Sequence, residues 1–488
     1  MNNKSNTKQA LWVGLGYLGT FLVALGSAMV LSRYLSKEEY GTYRQIIYLY
    51  TMLQGVFAAG LPAAYSYFLP NMTLSQGKTF SKILLMFFVV SGILMTMLFY
   101  CGAALFSSFL HNDLLLSNLR LFSPIPLLLI PTLGIEGLFT AIRKTEQLLI
   151  YNVVTKFFMF FSLVLPVVIW EASVQKVIYG WLISALFSFS MALFFKNKPF
   201  SKVSYDNLPF KLIEIFKYTI PIMLTSYLTV LQKSADQFFI SRYYGESVFA
   251  EYSNGFFEIP FVGMIVGSVS AVMIPIFSGA ASGKIKLQNA IVSWRNALEK
   301  CIYLVYPLLC FCFVVAGQVI ILIYGNKYEA SILYFKLALS LNFFCIVLIN
   351  PIIVALGKTK FYLCYNVICT VLIWSTKYLT VQIWDTPYAV AVVSVINSII
   401  LIVVPYIYIN RLLNIRLISM NIFFCIVKII IYSLVSGFWA SYFIDMMVPS
   451  NNLIFSLCMK GVLFTILYFG IVFVTKEIKY YTFLKSIF

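Results

Sequence analysis

Eleven charged residues interrupt the long apolar runs of this chain: Glu136, Lys156, Lys233, Asp236, Glu251, Glu258, Lys336, Lys377, Lys428, Asp445 and Lys460. A charge at the centre of a bilayer costs about 2.5–3.5 kcal/mol, so a residue placed there faces a partner or a polar cavity. Lys336, Asp445, Lys460 and Glu251 lie close enough to the end of a run for the side chain to reach the interface. Lys156, Lys233, Asp236 and Glu258 lie deeper. Lys233 and Asp236 are three positions apart, which puts them on one helix face where they can pair. Two readings fit that spacing: an ion pair that holds the helix against a neighbour, and a pair that faces a cavity. Arg33, Arg44 and Arg242 stand at run ends on one side of the membrane and favour an anionic ligand at a cavity mouth.

Other chemistries find little to work with. The nine cysteines all lie inside apolar runs, with no CxxC pair and no Cys/His cluster, so neither a metal nor a cofactor is expected. His111, beside Asn112 and Asp113, reads as a solvated residue in a short connection. No GxxxxGK[ST] loop is present, which excludes direct ATP coupling within the chain. Every outer connection is too short to hold the paired groups of a membrane polymerase or ligase, so the chain is not read as an enzyme.

The elements that position these charges are membrane helices. The 488 residues are 61% hydrophobic and 11% charged, with mean hydropathy +0.90. A soluble domain is nearer half apolar and a quarter charged. Charge-free stretches such as Leu11 to Ser32, Gln45 to Gly77 and Ile83 to Leu110 match the roughly 20 apolar residues that span a bilayer. The short alternating segments of a barrel are absent, so the fold class is all-α, a polytopic helical bundle. Apolar runs and polar breaks predict fourteen spans: roughly 10–32, 45–69, 81–110, 117–141, 147–170, 175–195, 213–241, 247–277, 295–324, 331–356, 361–384, 387–410, 419–444 and 452–475. Alternate connections then hold twenty-two lysines and arginines, including Lys78, Lys82, Lys196, Lys198, Lys202, Lys284, Lys358 and Arg411. The others hold seven: Arg33, Lys37, Arg44, Arg120, Lys176, Arg242 and Lys327. The positive-inside rule places both termini in the cytoplasm. The same asymmetry, with anionic lipid headgroups, accounts for the net charge of +18 without a nucleic-acid partner.

Two segments recur. Ser32-Arg33-Tyr34 followed by Tyr40-Gly41-Thr42-Tyr43 is echoed by Ser241-Arg242-Tyr243 followed by Phe249-Ala250-Glu251-Tyr252, at an offset of 209. Ala141 to Val153 matches Ala355 to Val367 at an offset of 214, with seven of thirteen positions identical. The shared Lys-Thr and Tyr-Asn pairs weigh more than shared Leu or Phe would. Both matches imply a repeat of six spans in the same orientation, related by an axis along the membrane normal. The expected organisation is an N-lobe over 1–195, a cytoplasmic linker over 196–212, a C-lobe over 213–410 and a two-helix appendage over 411–488.

The SRYLSKEEYGTYRQ stretch, its echo after span 7 and the LGKTKFYLCYN start of span 11 resemble the bacterial polysaccharide flippases for O-antigen, capsule or exopolysaccharide. These belong to the multidrug/oligosaccharidyl-lipid/polysaccharide exporter superfamily. The resemblance covers essentially the whole chain. It implies a two-lobed transporter of the inner membrane that moves undecaprenyl-pyrophosphate-linked oligosaccharides between leaflets by alternating access. It also implies contact with membrane lipids and the polysaccharide polymerase machinery, and coupling to a proton or sodium gradient. On that reading Lys156, Lys233, Asp236, Glu258, Arg33, Arg44 and Arg242 line the cavity. The Lys233–Asp236 pair then binds pyrophosphate, takes part in proton coupling, or remains structural. A cation-coupled multidrug exporter of the same superfamily is the alternative. The six intramembrane lysines against five acids do not separate the two, and the three arginines favour an anionic cargo.

Overall fold

The computed structural model describes residues 6–201, 203–257, 259–347, 349–447 and 452–475. Among them every regular element is helical. The chain packs as two units, residues 1–250 and 251–488. The first contains α1 (Asn6–Tyr34), α2 (Lys37–Phe57), α3 (Leu61–Phe68), α4 (Leu74–Leu110), α5 (Leu114–Phe122), α6 (Ile125–Leu129), α7 (Ile135–Ala141), α8 (Thr145–Ile169), α9 (Val174–Asn197) and most of α10 (Leu212–Gly255). The second contains α11 (Pro260–Ala281), α12 (Leu287–Val314), α13 (Ala316–Tyr324), α14 (Ser331–Cys345), α15 (Asn350–Ala355), α16 (Thr359–Ile383), α17 (Pro387–Leu413), α18 (Met420–Met447) and α19 (Leu453–Val474).

By length and apolarity, ten helical stretches among the described residues can cross a membrane, or eleven with one bent pair. The fourteen expected spans are therefore not all reached on this criterion. α10 falls short because it carries Glu214, Lys217, Lys233, Asp236, Arg242, Glu246 and Glu251. It also runs further than expected. Residues 247–255 continue α10 beyond a break at Gly245 (φ 81°), and the next helix begins at Pro260.

Breaks in the other spans have local causes. α2 and α3 meet at 46°, where Ala59 and Gly60 both take positive φ and Pro62 opens α3. Between α6 and α7, Gly134 has φ 80° and a Cβ there would stand 2.6 Å from the Tyr65 ring. Glycine is the residue that satisfies both demands.

The repeated thirteen residues fold alike. α7 ends on Arg143 (φ 56°), and α15 ends on Gly357 (φ 71°), the matching position. The Lys144 N–H then donates to Phe139 O at 2.9 Å, and the Lys358 N–H to Ile353 O at 3.1 Å. Each is the left-handed helix stop that returns an N–H to the last turn. α8 and α16 begin one residue later, and the tyrosine of the repeated Tyr-Asn pair in each reaches the following helix. Tyr151 Oη donates to Ser188 O at 3.3 Å and Tyr365 Oη to Ile400 O at 3.0 Å.

The core of the first unit is aromatic. Tyr43, Tyr50, Phe122 and Trp181 are buried and meet edge to face at 5.0–6.3 Å, the geometry that aromatic quadrupoles prefer.

Candidate functional site

The SRYLSKEEYGTYRQ stretch makes a turn and a helix start. Ser36 caps α2: its Oγ accepts the Glu39 N–H at 3.1 Å, while Glu39 Oε2 accepts the Ser36 N–H at 3.4 Å. This capping box satisfies two backbone donors that would otherwise be orphaned. In the same first turn, Glu38 Oε1 accepts the Ser247 hydroxyl at 3.1 Å. Glu38 and Ser247 occupy the same position in the two copies of the motif. Gly41 lets the chains approach, since a Cβ there would lie 2.0 Å from the Glu246 carbonyl oxygen.

A buried polar network continues from this contact. Asn112 Nδ2 donates to Thr42 Oγ1 at 2.9 Å and to Gln45 Oε1 at 2.6 Å, and its Oδ1 accepts the Leu114 N–H at 2.9 Å. Gln45 Nε2 donates to Ser241 Oγ at 2.7 Å. Thr42, Gln45 and Ser241 are fully buried and Asn112 nearly so. Members of a satisfied network in a low dielectric support each other, and one left unpaired is costly. The connection at 111–113 is therefore more than a solvated loop: His111 is exposed, but Asn112 is the hub of the network. Its backbone turn, with His111 at φ 52°, aims the Asn112 side chain inward, and nothing in the local sequence signals this.

Arg242 is half-buried beside the network. Its guanidinium donates to Phe109 O and lies 4.8 Å from the centre of the Phe109 ring. It thus meets the negative end of the α4 dipole, where a cation is favoured. His111 Nδ1 stands 3.2 Å from the Arg242 carbonyl oxygen, so that ring nitrogen carries a proton in this contact.

The other expected site residues are spread over several helices. Arg33 is exposed in the last turn of α1, and Arg44 is half-buried on α2. Lys156 is half-buried on α8, between Val153, which faces Gly19, and Phe160, which faces Gly26. It therefore lies on the side of α8 turned to α1, with no polar partner among the described residues. On α10, Lys233 is exposed and Asp236 buried. Glu258 lies outside the described residues.

Lys196 corrects the reading of the sequence. It is not a solvated cytoplasmic cation, because only 3% of it is exposed. Its Nζ donates to Pro131 O at 2.7 Å and Leu133 O at 2.8 Å, and lies over the Phe88 and Tyr65 rings at 5.3 and 5.7 Å. Those carbonyls are freed where the α6–α7 segment leaves helical geometry. A broken membrane helix is tolerated when a neighbour satisfies the released backbone groups, and Lys196 does this. In the second unit, buried Lys377 donates to Val390 O at 2.8 Å and to Ser394 Oγ. Lys460 pairs with Asp445 at 2.7 Å between α19 and α18. Among the described residues, no three His, Cys, Asp or Glu side chains stand together as metal ligands.

Many long apolar helices, a broken span whose freed carbonyls a buried lysine satisfies, and a repeated motif that meets itself define a multi-pass helical membrane protein. That fold is shared with the lipid II flippase MurJ in an inward closed conformation. The TM-score is 0.72 at 16% identity, over 97% of this chain and 99% of that one. An inward-facing multidrug-resistance MATE transporter of the MOP superfamily aligns with a TM-score of 0.62 at 12% identity, over 80% of this chain and 93% of its own. A Pyrococcus furiosus MOP transporter with a binding pocket of reversed polarity gives 0.59 at 14% identity, over 82% and 94%. In sequence, residues 30–333 match the family described as polysaccharide biosynthesis protein, and the chain belongs to that family. No curated protein matches it.

Proposed function

We propose that the protein is a flippase that carries undecaprenyl-pyrophosphate-linked oligosaccharide across the bacterial inner membrane for surface-polysaccharide assembly. Membership of the polysaccharide biosynthesis family and the fold of the MOP transporters support the reading. The observation that carries it is the meeting of equivalent residues Glu38 and Ser247, with Gly41 against Glu246. A contact between two copies of one motif is a natural gate: it holds one end of a pathway shut and opens when the copies part. Residues 1–195 and 213–410 act as the two rocking lobes, with 411–488 as the appendage. Both termini face the cytoplasm, and a proton or sodium gradient or removal of product by the polymerase machinery supplies the drive. Lys156, Lys233, Asp236, Glu258, Arg33, Arg44 and Arg242 are the cavity candidates, their cations suited to pyrophosphate. A multidrug exporter would need an acidic cavity, which this balance does not favour.

The test is a reversible lock. With Glu38 and Ser247 both replaced by cysteine, an oxidant should join them and stop transfer of lipid-linked oligosaccharide in proteoliposomes, and a reductant should restore it. The wild-type chain under the same oxidant controls for its own nine cysteines. Undiminished transfer by a fully cross-linked sample would rule out the gate.

A further inference from the structure

The turn between α8 and α9 holds a cleft of about 560 Å³ lined by Ile169, Trp170, Glu171 and Lys176. We propose that it binds the headgroup of a zwitterionic phospholipid bearing a primary ammonium, with the phosphate on Lys176 and the ammonium on Glu171.

The place, the shape and the charges agree. α8 ends at Ile169 and α9 begins at Val174, so the cleft lies where two apolar helices leave the membrane. Ile169 is 63% exposed and Trp170 75% exposed, and tryptophan is enriched at the depth of lipid headgroups. The size falls within the roughly 300–1,000 Å³ of small-ligand sites. Glu171 is exposed and Lys176 half-buried. Although both line one cleft, neither side chain forms a hydrogen bond or ion pair with another group among the described residues. Lys176 stands in the first turn of α9, which carries no acid, so the local field is positive there and favours phosphate.

The charge pair also selects among occupants. An anionic lipid would meet Lys176 but be repelled by Glu171. A choline headgroup has the right charges but no N–H to donate to the carboxylate. A neutral sugar could stack on Trp170 and would leave both charges unused. A primary ammonium and a phosphate on one headgroup satisfy both.

The experiment uses the purified full-length chain, stripped of lipid and titrated under native mass spectrometry. The ligands are phosphatidylethanolamine, phosphatidylglycerol, phosphatidylcholine and soluble glycerophosphoethanolamine. Phosphatidylethanolamine should bind most tightly, and the soluble headgroup only weakly. Glu171→Gln should weaken phosphatidylethanolamine binding about tenfold, the worth of one charge-assisted contact, and leave phosphatidylglycerol unweakened. Lys176→Gln should weaken both. Exchanging the two charges, Glu171→Lys with Lys176→Glu, should restore the preference and shows that loss in the singles is not misfolding. Equal binding of the three lipids, unchanged phosphatidylethanolamine binding in Glu171→Gln, or equally tight binding of the soluble headgroup would each overturn the proposal.

Discussion

Glu38 and Ser247 hold the same position in two copies of one motif, 209 residues apart, and their side chains meet at 3.1 Å. Gly41 makes the meeting possible. Gly41→Ala would place a methyl group 2.0 Å from the Glu246 carbonyl. That clash holds the copies apart, so polysaccharide export should fall at least tenfold, as a few kcal/mol of strain implies. Glu38→Gln keeps an acceptor for Ser247 and should be nearly silent. Glu38→Ala loses the Ser247 hydrogen bond, worth about 1 kcal/mol, and should lower export more than Glu38→Gln does. Export measured beside membrane abundance separates these outcomes, and a fully active Gly41→Ala would refute the close approach.

Asn112 should matter more than its exposed neighbour His111. Asn112→Ala leaves Gln45 Oε1 buried without its donor, at about 1–3 kcal/mol, while Thr42 keeps its hydroxyl bond to Glu38 O at 2.9 Å. A clear fall in the apparent Tm of the purified protein is expected. His111→Asn suits the left-handed backbone and should change stability by less than about 0.5 kcal/mol. The same thermal scan on both variants checks the contrast.

Lys196→Met keeps most of the volume but strips the donors from Pro131 and Leu133. Two buried carbonyls without partners should cost about 2–5 kcal/mol, seen as lower abundance in the membrane. Were Lys196 a solvated charge of the cytoplasmic side, the same variant would accumulate normally.

The Lys460–Asp445 pair should respond asymmetrically. Lys460 has 2% of its side chain exposed and Asp445 55%. Asp445→Asn strands a buried ammonium and should be the more damaging change, about 3–5 kcal/mol. Lys460→Met leaves a carboxylate that water and Ser441 already reach, and should cost little. The double variant should recover most of the loss. Membrane levels of the three proteins measure this, and equal losses in the two singles would contradict the burial.

Orientation can be read by labelling. Cysteines placed at Lys78, Lys284, Lys358 and Arg411 should react only from the cytoplasmic side, and one at Lys176 only from outside. Outside labelling at Lys284 would reverse the assignment.

Composition and periodicity were enough to determine a helical membrane bundle, because lipid leaves the backbone no other way to satisfy itself along apolar runs of this length. The repeat was legible too. Its Lys-Thr and Tyr-Asn pairs mark a helix stop and restart that depend on local backbone geometry, and Arg143 and Gly357 adopt that stop at matching positions. The site was legible only in part. The sequence picked out the SRY motifs, yet it offered no sign that Glu38 would meet Ser247, since a contact over 209 residues depends on how helices pack. Asn112 and Lys196 were hidden for the same reason. Each sits beside other polar residues in a connection or at a helix end, where a solvated side chain and a buried one share the same local sequence. Only the tertiary structure, by bringing the broken α6–α7 segment and the start of α2 against them, decides that these two side chains satisfy buried polar groups of the protein itself.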